Sequence, residues 1–291
     1  MLKYLVSFLA TAFFAVVLVV LLYFKYKKID KKLFGLYGEH KLTLIVYIVL
    51  RVLVAFVLIR CIFNREYYNA LLCFISLILM ILPGLFEKTF KINFPSGLEV
   101  IILCFIFAAE ILGEIESFYT IHYGWDTVLH TLSGFLSCAV GFSLFELINH
   151  HRPDRLNLSP FYLAIVAFCF ANTIGVLWEF GEFSVDKWLL FDAQKDFVVE
   201  QFSSIYFDPE GLNNPVALEN ITNTTITLED GTEYVVEGGY LDIGIIDTIK
   251  DLFVNAIGAF IFSIFGYLYV KSKGKGKIAK GLIPTIKESD I

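Results

Sequence analysis

"GWDTVLHTLSGFLSCAVGFSLF", residues 124–145, sets a carboxylate and an imidazole at the head of a run that carries no further charge. About twenty such residues, at a helical rise of about 1.5 Å each, cover the ~30 Å of hydrocarbon in a bilayer. Asp126 and His130 are four residues apart, so on a helix they share one face. The stretch reads as a membrane span with ionisable groups where the bilayer begins.

The rest of the chain has the same character. Of its 291 residues 57% are hydrophobic and 18% charged, and the mean hydropathy is +0.70. A soluble domain holds roughly 45–50% apolar residues, so a water-soluble enzyme fold is excluded and the lipid bilayer is the first partner; nothing points to nucleic acid. Cys61, Cys73, Cys104, Cys138 and Cys169 fall singly in or beside apolar runs, with no CxxC pair, and read as small hydrophobes. The apolar runs predict an all-α, polytopic transmembrane helix bundle of about seven spans, near 4–24, 43–63, 66–86, 98–118, 125–148, 160–188 and 245–270. Residues 1–291 are expected to form a single membrane domain.

Lys and Arg give the orientation. "KYKKIDKK" follows the first expected span, "EKTFK" the third, "HHRPDR" the fifth and "KSKGKGKIAK" the seventh, whereas the other connections are poor in both. The positive-inside rule then puts the N-terminus outside and the C-terminus inside. The basic tail, 271–291, lies inside and either touches anionic lipid heads or serves only to set topology. The connection 190–242 is acidic, with Lys195 its only basic residue. It is expected outside as a small β-containing extracytoplasmic insertion, because "ITLEDGTEYVV" alternates around Asp230-Gly231, a hairpin signal. A solvated acidic loop is the simpler reading of that charge.

Polar residues inside the spans fall into four helical stripes: Glu110, Gly113, Glu114, Ser117; Asp126, His130, Ser133, Ser137; Asn172, Gly175, Glu179, Glu182, Asp186; and Asp247, Asp251, Asn255, Gly258. On the topology above all four converge in the outer half of the membrane. That predicts one outward-facing carboxylate/histidine pocket, which also takes in Glu110, Glu114, Asn172 and Asn255. A charge at the centre of a span costs roughly 2.5–3.5 kcal/mol, so these acids must share protons, pair with bases or hold a cation. Arg51, alone in the second span, is expected to pair with Glu110 at similar depth. His130, Asp126, Glu179, Glu182, Asp247 and Asp251 together offer a nitrogen and several oxygens, a set suited to a divalent metal, Zn, Mn or Fe. The competing reading is a proton-sharing network that holds the helices together.

"WDTVLHTLSGF", "GVLWEFGEF", "DAQKDF" and "LDIGIIDTIKDLFVNAIGAF" together resemble the YjdF-like inner-membrane proteins of bacteria, in a Gram-positive branch, and distantly the VanZ-like proteins. The resemblance covers about 100–270 and implies a polytopic cell-membrane protein without naming a reaction. It carries Asp126, His130, Gly134, Glu179, Glu182, Asp247, Asp251, Asn255 and Gly258 as motif positions, with Gln194, Lys195 and Asp196 just beyond the sixth span. Residues 197–239 depart from it as an inserted stretch, and the E-x2-Q element expected of VanZ-like proteins is missing.

Three function classes stay open. The first is a metal-binding membrane enzyme acting on a lipid-linked or envelope substrate, with Asp126, His130, Glu179 and Asp251 as acids, bases or ligands. The second is a proton- or cation-coupled transporter. The third is a structural or sensory membrane protein with a buried polar network. There is no G-x-S-x-G, H-E-x-x-H or Walker loop to decide among them.

Overall fold

A computed structural model describes residues 41–90, 92–150, 158–272, 282 and 285–286. The expected first span at 4–24, the basic segment 25–32, most of "HHRPDR" and most of the basic tail lie outside the described residues. The chain divides into two compact units, Met1–Ile174 with Val254–Ile291, and Gly175–Phe253.

The first unit begins with a helical hairpin. Helix α1 (Lys41–Phe63) turns into α2 (Tyr67–Leu79) through Arg65, at φ 61°, and the Glu66 carboxylate accepts from the side-chain amides of Asn64 and Asn69, each at 3.2 Å. Helix α3 (Leu82–Phe90) follows, then β1 (Ile92–Asn93) and α4 (Ser96–Ile106). Val54, Val57 and Cys61 of α1 are buried with Cys73, Met80, Leu103 and Ile111. A second cluster joins Leu98 of α4, Phe142 of α6 (Trp125–His150), Ala167 of α7 (Pro160–Leu189) and Phe262 of α8 (Ile245–Lys271). Between α5 (Phe118–Ile121) and α6, Gly124 takes φ +82°, a left-handed value that glycine adopts without a Cβ penalty.

Helix α4 runs directly into a π-helical stretch, Phe107–Ile115. The wider π turn slides the inward face relative to an α-helix. Ile111, Gly113, Ile115 and Glu116 are buried there, while Glu110 is half-buried and Glu114 exposed. The expected stripe Glu110, Gly113, Glu114, Ser117 assumed α-helical spacing and so names the wrong buried acid.

Helices α6 and α8 touch backbone to backbone. A Cβ on Gly134 would run into the Asn255 carbonyl, and one on Gly258 into the Thr131 carbonyl. Further along, Cys138 Sγ lies 3.3 Å from Ser263 Oγ, and a Cβ on Gly266 would strike the Phe142 ring. Such small-residue contacts replace the hydrophobic drive that helices lack in lipid.

The second unit holds the end of α7, the start of α8 and the segment between them. That segment forms short antiparallel pairs: β2 (Val198–Val199) with β7 (Tyr240–Leu241), β3 (Phe202–Ser204) with β4 (Val216–Leu218), and β5 (Asn223–Thr227) with β6 (Glu233–Glu237). The β5–β6 hairpin turns at Asp230-Gly231, as its sequence predicts, with Leu228 N–H donating to Thr232 O at 2.8 Å and Gly231 at φ +83°. In the first unit β1 pairs with β8 (Thr285–Ile286). Five helical stretches among the described residues are long and apolar enough to cross a membrane: Thr43–Phe63, Tyr67–Thr89, Trp125–Phe145, Pro160–Leu189 and Ile245–Lys271. They match the second, third, fifth, sixth and seventh expected spans. The fourth falls on the α4–π stretch.

Gly258→Ala should lower stability in detergent by roughly 1–3 kcal/mol through overpacking. Gly181→Ala is the control, since nothing lies within 4 Å of a Cβ there. Its unfolding midpoint should stay at or slightly above wild type. Equal midpoints for the two variants would show that the α6–α8 contact does not limit stability.

Candidate functional site

The first turn of α6 carries Asp126. The Phe118 ring packs on His122 and Trp125, with centroids 4.5 and 5.0 Å away, and Trp125 N–H donates to His122 O at 3.0 Å. These contacts fix where the helix starts. Asp126 Oδ1 then lies 3.3 Å from His130 Nε2, with side chains 24% and 15% exposed. Asp126 also sits at the positive end of the helix dipole, which favours its charge.

On α8 three polar residues follow one face. Asp247, Asp251 and Asn255 are 5%, 1% and 2% exposed. Asn255 Nδ2 reaches Ala171 O at 3.4 Å, which ties α8 to α7 within the first unit. Asn172 spends its amide on its own helix, donating to Phe168 O at 2.8 Å. On α7 Glu179 is buried at 4% exposure, and Glu182 Oε1 accepts from Trp178 Nε1 at 2.8 Å.

Three aspartates of the second unit grip the segment that follows α7. Asp186 accepts from Ala193 N–H at 2.5 Å and Gln194 N–H at 2.8 Å. Asp242 accepts from Phe197 N–H at 2.7 Å through Oδ1 and from Ile246 N–H at 2.8 Å through Oδ2. Asp247, expected among the metal ligands, accepts Lys195 N–H at 3.0 Å through Oδ2, and its Oδ1 lies 3.7 Å from Lys250 Nζ. Gln194 Nε2 donates to Thr248 Oγ1 at 2.5 Å. The motif residues Gln194 and Lys195 are therefore held by α8. In the same segment, burial first and then the nearby Asp192, Asp242 and Asp186 carboxylates push the Asp196 carboxyl above its ordinary value.

Arg51 and Glu110 are not brought together. Arg51 Nη2 donates to Leu77 O at 3.1 Å, and its guanidinium lies 4.4 Å from the Tyr47 ring centroid. Similar depth along two helices does not fix which faces meet, and α1 turns Arg51 toward α2. The ion pair of this region joins Arg60 Nη1 to Glu116 Oε1 at 2.7 Å. Sequence reasoning missed both residues, and the α-to-π change that buries Glu116 left no signal in the spacing. It also missed Asp242, although an Asp just ahead of an apolar periodic run is a helix-start signal.

Apolar helices of spanning length, joined by close glycine contacts and carrying buried ionisable groups, define a polytopic membrane protein. The chain belongs to the DUF2238 family, described as predicted membrane protein, whose family model matches residues 43–272. A Thermotoga maritima protein described as uncharacterized is 24% identical over 105 residues, 36% of this chain and 52% of that protein. The chain thus spans about half the length of that curated relative. No solved structure matches.

Asp242→Ala should leave the Phe197 and Ile246 amides without their acceptor, at about 1.5–3 kcal/mol for each hydrogen bond to a charged group. Hydrogen exchange at these two amides should speed up at least about tenfold, since tenfold corresponds to about 1.4 kcal/mol; unchanged protection would remove the clamp from the account. Arg60→Ala should cost roughly 3 kcal/mol by leaving Glu116 buried without its guanidinium. Adding Glu116→Gln to it should recover part of that loss. A double-mutant cycle with no coupling would reduce the pair to a bystander.

Proposed function

We propose that Asp126 and His130 supply donors for one divalent cation, zinc, manganese or iron, in the membrane-embedded part of the protein. The observation that carries this reading is the Asp126–His130 pair, a carboxylate oxygen and an imidazole nitrogen 3.3 Å apart on one turn of a spanning helix. Imidazole nitrogen with carboxylate oxygens is a donor set these metals accept. Asp251 is a further ligand of this reading by its sequence position, one turn before Asn255 on α8. Bound to such a set, a divalent cation supplies Lewis acidity toward a carbonyl or phosphoryl oxygen. Without the cation, Asp126 orients the imidazole through Nε2, the nitrogen the cation would take. Glu179 is the further base or ligand of this reading.

The finer form of the proposal is a membrane enzyme that meets a lipid-linked or envelope substrate on the outer side of the cell membrane, with residues 190–242 outside and the C-terminus inside. The YjdF-like and distant VanZ-like likeness belongs to this finer form, carried by Asp126, His130, Asp251, Asn255 and Gly258. A blind pocket suits the packing better than a transport path. Further along α6 and α8, the buried Leu136, Cys138, Ala139, Phe142 and Phe262 join one apolar cluster. The buried polar residues at that level of α6 and α8, Ser143 and Ser263, donate to carbonyls of their own helices, Ala139 O and Ala259 O.

Elemental analysis of the detergent-purified full chain, wild type beside His130→Ala, tests the reading. One equivalent of zinc, manganese or iron in the wild type and none in the variant is the expected result. A wild type that holds no metal after reloading at neutral pH overturns it.

A further inference from the structure

The segment between α7 and α8 has strands but no core of its own. Among the described residues from 172 to 258 no apolar side chain is buried, whereas Ile205, Tyr206, Phe207 and Leu212 are 57%, 86%, 47% and 66% exposed. Ordering a backbone costs roughly 1–2 kcal/mol per residue, and a small module in water offsets that by burying apolar surface. Here that surface has to be covered by something outside the segment.

The rings indicate what covers it. Tyr240, just ahead of α8, stacks on Phe202 at 4.8 Å; Phe202 lies 6.2 Å from Phe207, and Phe207 meets Tyr206 edge-on at 5.4 Å. The β2–β7 pair, Val198 with Leu241, holds both ends of the segment beside the two spans. The first turns of α8 expose Ile245, Ile246, Ile249 and Phe253 around a shallow apolar groove of about 500 Å³ with Lys250 on its rim. Lys250 Nζ in turn lies 5.8 Å from the Phe197 ring. Tyr240, Phe202, Phe207 and Tyr206 thus form a run of rings that leads from the residues ahead of α8 into the loop. A loop that presents Tyr and aliphatic side chains beside acidic ones matches the membrane–water interface, where amphipathic rings sit at headgroup level. Its charge fits zwitterionic headgroups, since Lys195 is the only base in 190–242.

We propose that the β3–β4 loop, residues 205–212, rests in the headgroup region of the bilayer with Tyr206 and Leu212 dipped into it. The insertion is then a membrane-resting module and not a freely solvated acidic loop. Asp208 braces the loop for this: its carboxylate accepts N–H from Asn214, Leu212 and Glu210 at 3.0, 2.8 and 3.1 Å, which holds its carboxyl below the ordinary carboxylate range. The loop needs little further ordering when it meets lipid.

The test uses the full chain in phosphatidylcholine vesicles, with a nitroxide-bearing unnatural residue at position 206, 212 or 230. Collisions with oxygen, which partitions into lipid, are compared with collisions with a water-soluble nickel chelate. The oxygen-to-nickel ratio at 206 and 212 should exceed that at 230, in the β5–β6 turn, several-fold. Equal ratios at the three positions overturn the proposal and leave a solvated loop. Exclusion of both reagents together with spin–spin broadening also overturns it, because a second copy of the chain then covers the patch.

Discussion

The contact on which the site depends is the approach of α6 to α8 at Gly134 and Gly258. In lipid, two apolar helices gain nothing from hiding apolar surface, so they associate by fit. Carbonyl groups of Asn255 and Thr131 occupy the space where side chains would otherwise stand. That contact tolerates little sliding or rotation of α8. Asn255, at the contact itself, is buried, and Asp247 and Asp251, also buried, share its face of the same helix.

Acids in this chain meet different fates according to the donors nearby. Asp186, Asp242 and Asp247 accept backbone N–H groups from residues 193–197 and from the first turn of α8. Asp242 and Asp247 also lie near the N-terminal end of α8, where the helix dipole favours negative charge. These carboxylates hold the segment that joins span to insertion. Glu116 has a guanidinium instead.

Much of the architecture was legible because run length and period survive folding. The stretches 43–63, 160–188 and 245–270 become helices, and the Asp230-Gly231 turn closes a hairpin. The α8 stripe was legible because the helix is regular from Ile245 to Lys271, so steps of three and four keep one face. The stripe at 110–117 was not, since a π turn changes the step and buries Glu116 in place of Glu114. Arg51 shows a second limit. A sequence gives depth along a helix but not the azimuth of its neighbours, and Arg51 finds the Leu77 carbonyl and the Tyr47 ring. The clamp on 192–197 rests on backbone donors, which leave no trace in composition.

What sets Asp126 and His130 apart is the chemistry of the partner. Arg60 beside Glu116 stays protonated at any pH the protein meets, so that pair has one state. An imidazole has two, and its two nitrogens differ. When Nε2 carries a proton it donates to Asp126; when it does not, the same lone pair is free for a metal. Proton and cation therefore compete for one atom, and either one offsets the carboxylate charge in a setting where bare charge is costly. A purely structural link in a membrane helix gains nothing from that duality, because an amide or a serine would bond as well without titrating. Under the proposed reading, a carboxylate and an imidazole paired one turn into a span, 24% and 15% exposed, give a positive charge a place to enter and leave.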